Sequence, residues 1–174
     1  MERKFNFGAV NWKWIAYAAE LYALFIIQYT PGMMPQINGT GPNLLMICAL
    51  SIAIFEGDKA GLYYGAAAGL LMDYSGTRVF GFNGLFVAVI CYFCGILITD
   101  LMRNNLLTAI LLSLCSMFVF GVIRWLFFNV LWGYPELWYE FYGVMLVSVL
   151  YSAFLMAPVY LFTKVIATSL GQRK

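Results

Sequence analysis

Three ionisable residues lie within or at the edge of apolar runs: Glu20, Asp73 and Arg124. A charge near the centre of a bilayer costs at least about 2.5–3.5 kcal/mol, so it normally faces the bundle interior and finds a partner. Asp73 and Arg124 fall toward the same end of their helices, whereas Glu20 falls near the middle of its own. We therefore predict that Arg124 pairs with Asp73, with Glu20 as the weaker candidate. The alternative is that Arg124 snorkels outward among Trp125 and Trp132.

Catalytic chemistry has little support in the sequence. The chain has no histidine, which removes the commonest general base and metal ligand. Cys91 and Cys94 form a CxxC pair, but they have no second pair at metal-site spacing, and we interpret them as small packing residues. Asp73 and Asp100 could serve as a protease aspartate pair only if they met, and they are predicted at opposite membrane faces. We predict a protein that is not an enzyme and uses no cofactor or metal.

The composition indicates a membrane protein. Hydrophobic residues make up 63% of the 174-residue chain and charged residues only 10%, whereas soluble domains carry about 25% charged residues. The net charge of +2 is too small to suggest a nucleic-acid partner. We predict an all-α polytopic protein with a single integral membrane domain over residues 1–174, surrounded by the lipid bilayer.

Six apolar runs predict six transmembrane helices in one bundle. A full span needs about 20 apolar residues, and the second and third runs are short by that measure. These two runs either span without tilt, thin the bilayer locally, or meet as a hairpin that does not fully cross. The predicted helices cover roughly residues 12–29, 43–55, 60–75, 82–99, 105–132 and 141–166.

Basic residues are distributed unevenly between the two sides of this predicted bundle. Apart from Arg124, eight of them fall on the side of the termini and only Arg78 falls on the other. By the positive-inside rule both termini are cytoplasmic. The eight residues are Arg3, Lys4, Lys13, Lys59, Arg103, Lys164, Arg173 and Lys174.

A row of small residues distinguishes the third predicted helix, where Gly61, Gly65 and Gly69 recur at every fourth position. Such rows let helix backbones approach closely. We interpret the row as internal packing, with a docking face for another membrane protein as the alternative. Asp73 continues the row, and a glycine-rich turn into the fourth helix follows it. The predicted turn residues are Gly76, Gly81, Asn83 and Gly84.

The segment EGDKAGLYYGAAAGLLMDYSGTRVFGFNGL, residues 56–85, resembles the central signature of the rod shape-determining protein MreD family. The shared pattern is a glycine-rich helix, an aspartate, a Ser-Gly turn and a Gly-Phe-Asn-Gly entry to the next helix. RNNLLTAILL at 103–112 and RWLFFNVLWGY at 124–134 resemble the Firmicutes-like branch, so the resemblance covers essentially the whole chain. Arg124 is a departure, because relatives are expected to carry an acidic or neutral residue there.

The resemblance implies a non-enzymatic scaffold of the cell-elongation machinery in the bacterial cytoplasmic (inner) membrane, supporting rod-shape peptidoglycan synthesis. It implies MreC as the docking partner and, through MreC, indirect association with MreB, RodA and the transpeptidase of RodA. The family is similar in fold to the S component of energy-coupling factor transporters, which has six helices and cytoplasmic termini. The alternative function is therefore a vitamin-binding S component, to whose docking motif the AxxxA of Ala19 and Ala23 is similar.

Overall fold

The computed structural model describes residues 7–37, 39–75, 79–100, 105–130 and 140–171. These residues form six α-helices and two π-helical segments, and they contain no β-strand beyond one isolated bridge between Ile37 and Thr40. The all-α prediction is confirmed for this part of the chain. The helices are α1 (Phe7–Tyr29), α2 (Leu44–Glu56), α3 (Asp58–Tyr74), α4 (Phe82–Asp100), α5 (Leu106–Trp125) and α6 (Leu146–Gly171).

The last two helices differ most from the sequence-based ranges. The π-helical segment Leu126–Val130 follows α5 directly, and a second one, Glu140–Met145, leads into α6. A π-helical turn keeps the backbone hydrogen-bonded with a wider ring, so apolar periodicity alone does not separate it from an α-helix. The part of the predicted fifth helix beyond Val130 lies outside the described residues.

Three helical stretches in the described part of the chain are long and apolar enough to cross a membrane. They are Phe82–Asp100, Leu106–Phe128 and Phe141–Leu170. The other predicted spans do not reach that measure. α1 carries Lys13 and Glu20, while α2 has 13 residues and α3 has 17. The predicted count of six crossings therefore stays a prediction.

α2 forms the centre of the bundle. Every residue from Leu44 to Ile54 is buried, and α2 contacts all five other helices. Its 13 residues extend about 20 Å, well short of the roughly 30 Å hydrocarbon core. A helix that is apolar all round and enclosed by protein has no lipid-facing side to match to the bilayer. Enclosure therefore explains how so short a helix can lie in a membrane protein.

Both ends of α2 are fixed by backbone contacts. The Asn43 N–H donates to Ser152 Oγ at 2.8 Å, and the Leu45 N–H donates to Gln28 Oε1 at 3.1 Å. At the other end only Gly57 separates α2 from α3, with φ +90° and ψ −167°. That region is nearly exclusive to glycine, so Gly57 permits the abrupt reversal into α3.

The glycine row of α3 lies against α4. A Cβ atom added to Gly61 would lie 2.7 Å from the Cys91 carbonyl oxygen, and one added to Gly65 would lie 3.0 Å from the Val87 oxygen. Gly69 is tighter still, since its Cβ would lie 2.6 Å from Gly84 Cα. All three glycines are buried. The row is thus occupied by contacts within the chain and does not form an exposed docking face.

Replacing Gly69 by alanine should destabilise the protein, because the new methyl group meets backbone that no rotamer change can move. We expect a loss of about 1–3 kcal/mol from overpacking, larger than the gain in helix propensity of about 1 kcal/mol. Unfolding by SDS in mixed micelles measures the difference. The matched control is Gly41→Ala, whose Cβ has nothing within 4 Å. Equal stability of the two variants would contradict the described packing.

Candidate functional site

The Asp73 carboxylate joins the end of α3 to the start of α4. Asp73 is 3% exposed and lies in the last turn of α3. Its Oδ2 accepts hydrogen bonds from the backbone N–H of Gly81 at 2.9 Å and of Gly84 at 3.0 Å, and its Oδ1 accepts one from Asn83 at 3.2 Å. Asp73 therefore caps the first turn of a helix other than its own.

Helix electrostatics explain why this position suits an acid. The first N–H groups of a helix have no intrahelical partners and carry partial positive charge. The C-terminal turn of α3 alone would disfavour a negative charge, whereas the start of α4 favours one. Hydrogen bonds to a charged group contribute about 1.5–3 kcal/mol each. The capping interaction therefore outweighs the unfavourable dipole of α3.

The structure brings Asp73 together with three of the four predicted turn residues. Gly81 has φ +91°, a conformation that favours glycine and directs its N–H toward the carboxylate. Gly84 packs under α3, where an added Cβ would lie 3.1 Å from Leu70 and 3.6 Å from Asp73 Oδ2. The fourth predicted turn residue, Gly76, lies outside the described residues, as does Arg78.

The predicted ion pair between Asp73 and Arg124 does not form in the structure. Arg124 is exposed in the last turn of α5. Both carboxylate oxygens of Asp73 are bonded to backbone N–H groups instead. In the described part of the chain, the ion pair that forms joins Lys13 and Glu56.

Glu20 contacts α6, and it forms no ion pair with Arg124. It is 5% exposed, and its Oε1 accepts a hydrogen bond from Thr163 Oγ1 at 2.8 Å. Its Oε2 has no hydrogen-bond partner among the described residues. The Thr163 hydroxyl also donates to the Val159 carbonyl at 2.9 Å. Glu20 thus links α1 to α6 inside the bundle.

A polar and aromatic cluster at the Lys13 end of the bundle escaped the sequence reasoning. The Glu56 carboxylate forms an ion pair with the Lys13 ammonium and accepts a hydrogen bond from the Tyr17 hydroxyl at 2.8 Å. The Tyr64 hydroxyl donates to the Trp14 carbonyl at 2.8 Å, and the two rings stack with centroids 6.0 Å apart. These contacts fasten α1 to α2 and α3. The only sequence signal for this cluster was a charged residue near one end of each of two predicted helices, Lys13 in the first and Glu56 after the second.

Aromatic rings connect the α3–α4 turn to the first π-helical segment. The Phe82 ring lies 4.7 Å from that of Phe86 and 4.8 Å from that of Phe127, measured between centroids. Phe128 packs on the same ring at 5.1 Å. The α3–α4 turn that Asp73 caps therefore packs against the π-helical segment that follows α5.

The described residues form no group of side chains that could bind a metal ion. Among the residues that the structure describes, no three or more His, Cys, Asp or Glu side chains gather. Cys94 Sγ lies 3.0 Å from Ser116 Oγ, which links α4 to α5 in the core. The chemistry that the arrangement supports is backbone capping and close helix packing.

Replacing Asp73 by asparagine should destabilise the protein by about 1.5–3 kcal/mol, because the charge-assisted bonds are lost and an amide NH₂ faces backbone donors. Arg124→Gln should have little effect and should add to Asp73→Asn within about 0.5 kcal/mol. SDS unfolding of the four members of this cycle measures both values. Asp100→Asn, an exposed acid at the far end of α4, is the control. An interaction energy above about 1 kcal/mol between the two substitutions would contradict the structure and indicate an ion pair between Asp73 and Arg124.

Comparison with known proteins identifies the family. The family model described as rod shape-determining protein MreD matches residues 10–166. No curated protein and no solved structure matches the chain. The matched range contains α2 to α5, the glycine row and the Asp73 cap. Because the match covers nearly the whole sequence, the chain belongs to the MreD family of rod shape-determining proteins.

Proposed function

We propose that the protein is a non-enzymatic scaffold of the bacterial cell-elongation machinery that docks MreC and supports rod-shape peptidoglycan synthesis. The observation that carries this proposal is the family match over residues 10–166. The arrangement around Asp73 is consistent with it, because a buried carboxylate bonded to three backbone N–H groups serves the fold. Through MreC the protein would associate indirectly with MreB, RodA and the transpeptidase of RodA.

The proposal places the chain in the cytoplasmic membrane as a multi-pass protein with both termini cytoplasmic. Three apolar helical stretches support the membrane location, and the eight-to-one distribution of basic residues across the six predicted crossings supports cytoplasmic termini. Met33 in the loop after α1 would face outward, and Asp100 would face the cytoplasm. In a variant without native cysteines, an impermeant maleimide should label Met33→Cys in intact cells and Asp100→Cys only after permeabilisation. The reverse pattern would contradict the orientation.

In this proposal MreC docks outside the glycine row, because α4 covers that row. The exposed apolar faces of the peripheral helices are the remaining candidates. One such face is the α5 stripe of Leu107, Leu111 and Phe118, whose spacings of four and seven residues place them along one side of the helix. A transmembrane helix of MreC could pack on such a stripe through van der Waals contacts.

Affinity purification of a tagged chain from native cytoplasmic membranes tests the proposal. We expect MreC to be recovered in stoichiometric amount with the wild-type chain and with Gly41→Ala. Recovery should fall with Gly69→Ala in proportion to its folded fraction, because the scaffold must be intact to dock. A folded chain that captures no MreC would contradict the proposal. Stoichiometric capture of a vitamin in its place would favour the S-component alternative over the scaffold.

A further inference from the structure

A cleft of about 490 Å³ opens between α1 and α3 near the Lys13–Glu56 ion pair. The stacked rings of Trp14 and Tyr64 form one wall. The remaining lining comes from α3, on the side away from the row of glycines that packs on α4. The residues that line the cleft are Trp14, Lys59, Ala60, Tyr63, Tyr64 and Ala67.

The cleft is apolar along its length and carries one cation at its end. From Lys59 to Ala67 it follows eight residues of α3, or about 12 Å. The small side chains of Ala60 and Ala67 leave space at the floor of the cleft. Tyr63, which is 72% exposed, lies one turn from Lys59 on the same face of α3. The cleft therefore presents a strip of hydrocarbon and aromatic surface that ends at an ammonium group.

The other charges near this end are already engaged or turned away. Lys13 is paired with Glu56. Asp58 belongs to the opposite side of α3, where its backbone lies 2.6 Å from the position of a Cβ on Gly95 of α4. Lys59 is exposed and forms no ion pair within the described residues. It is thus the cation available to a ligand in the cleft.

We propose that this cleft binds one anionic phospholipid, with an acyl chain along Ala60 to Ala67 and the phosphate on Lys59. Tryptophan and tyrosine favour the headgroup level of a bilayer, and lysine extends its ammonium toward that level. The cleft thus has an amphiphile's pattern, apolar over its length and cationic at one end. The inference does not depend on the scaffold role.

The size of the cleft favours a lipid over a partner helix. A partner helix with its side chains has a diameter of about 10–12 Å, close to the full length of the cleft. An acyl chain is far narrower than a helix with its side chains. A partner helix would have to lie on the rim, away from Lys59 and the floor alanines.

Native mass spectrometry of the detergent-purified full chain tests the proposal. Phosphatidylglycerol and phosphatidylcholine with identical acyl chains are added in equal amounts, and the retained lipid adducts are compared. We expect phosphatidylglycerol to be retained preferentially. Lys59→Gln should lower this preference about fivefold, the contribution of one basic residue to anionic-lipid binding. Lys164→Gln, at an exposed lysine of α6 that does not line the cleft, should leave it unchanged.

A second variant tests the acyl-chain part of the site. Ala67→Trp fills the floor of the cleft and should reduce adducts of both lipids, while its unfolding midpoint in detergent stays near that of the wild type. Equal retention of the two lipids by the wild type would overturn the proposal, as would equal effects of Lys59→Gln and Lys164→Gln. A photocrosslinker at Tyr63 that captures a protein helix instead of lipid in native membranes would also overturn it.

Discussion

The bundle depends on one carboxylate, that of Asp73, which holds the start of α4 against the end of α3. Three backbone N–H groups converge on it, so the register between the two helices is set at the turn. Gly61, Gly65 and Gly69 then meet carbonyl groups and α-carbons of α4 at distances that leave no room for a Cβ. A shift of one residue would bring larger side chains into these contacts. The cap and the glycine row therefore specify the same arrangement.

This hairpin in turn allows a short helix to occupy the centre. α2 contacts all five other helices, and every residue from Leu44 to Ile54 is buried. The surfaces left for lipid and for partners are those of the outer helices. For an MreD family member, the structure thus separates a close-packed interior from an exterior with many exposed apolar side chains.

Part of this architecture could be read from the sequence because local signals define it. Pro42, Gly57 and Gly81 bound three of the four ends of these runs, and α2 and α4 begin and end within one residue of the ranges 43–55 and 82–99. Gly81, Asn83 and Gly84 were also recognisable as a turn. The hydrogen-bond partners of the ionisable groups cannot be recognised from the sequence, because they lie far apart along the chain. Thr163 lies 143 positions from Glu20, and Glu56 lies 39 positions from Tyr17. The sequence predicts a pair between Asp73 and Arg124 because only side chains carry a sequence signal, whereas the actual partners of Asp73 are backbone N–H groups.

Hydrogen–deuterium exchange of the chain in lipid nanodiscs tests the role of Asp73 most directly. The first N–H groups of a helix ordinarily exchange fast, because they lack intrahelical acceptors. The account predicts that the amides of Gly81, Asn83 and Gly84 are protected like those inside α4, and that Asp73→Asn removes this protection while the amides of α6 stay protected. Fast exchange of these three amides in the wild-type chain would contradict it.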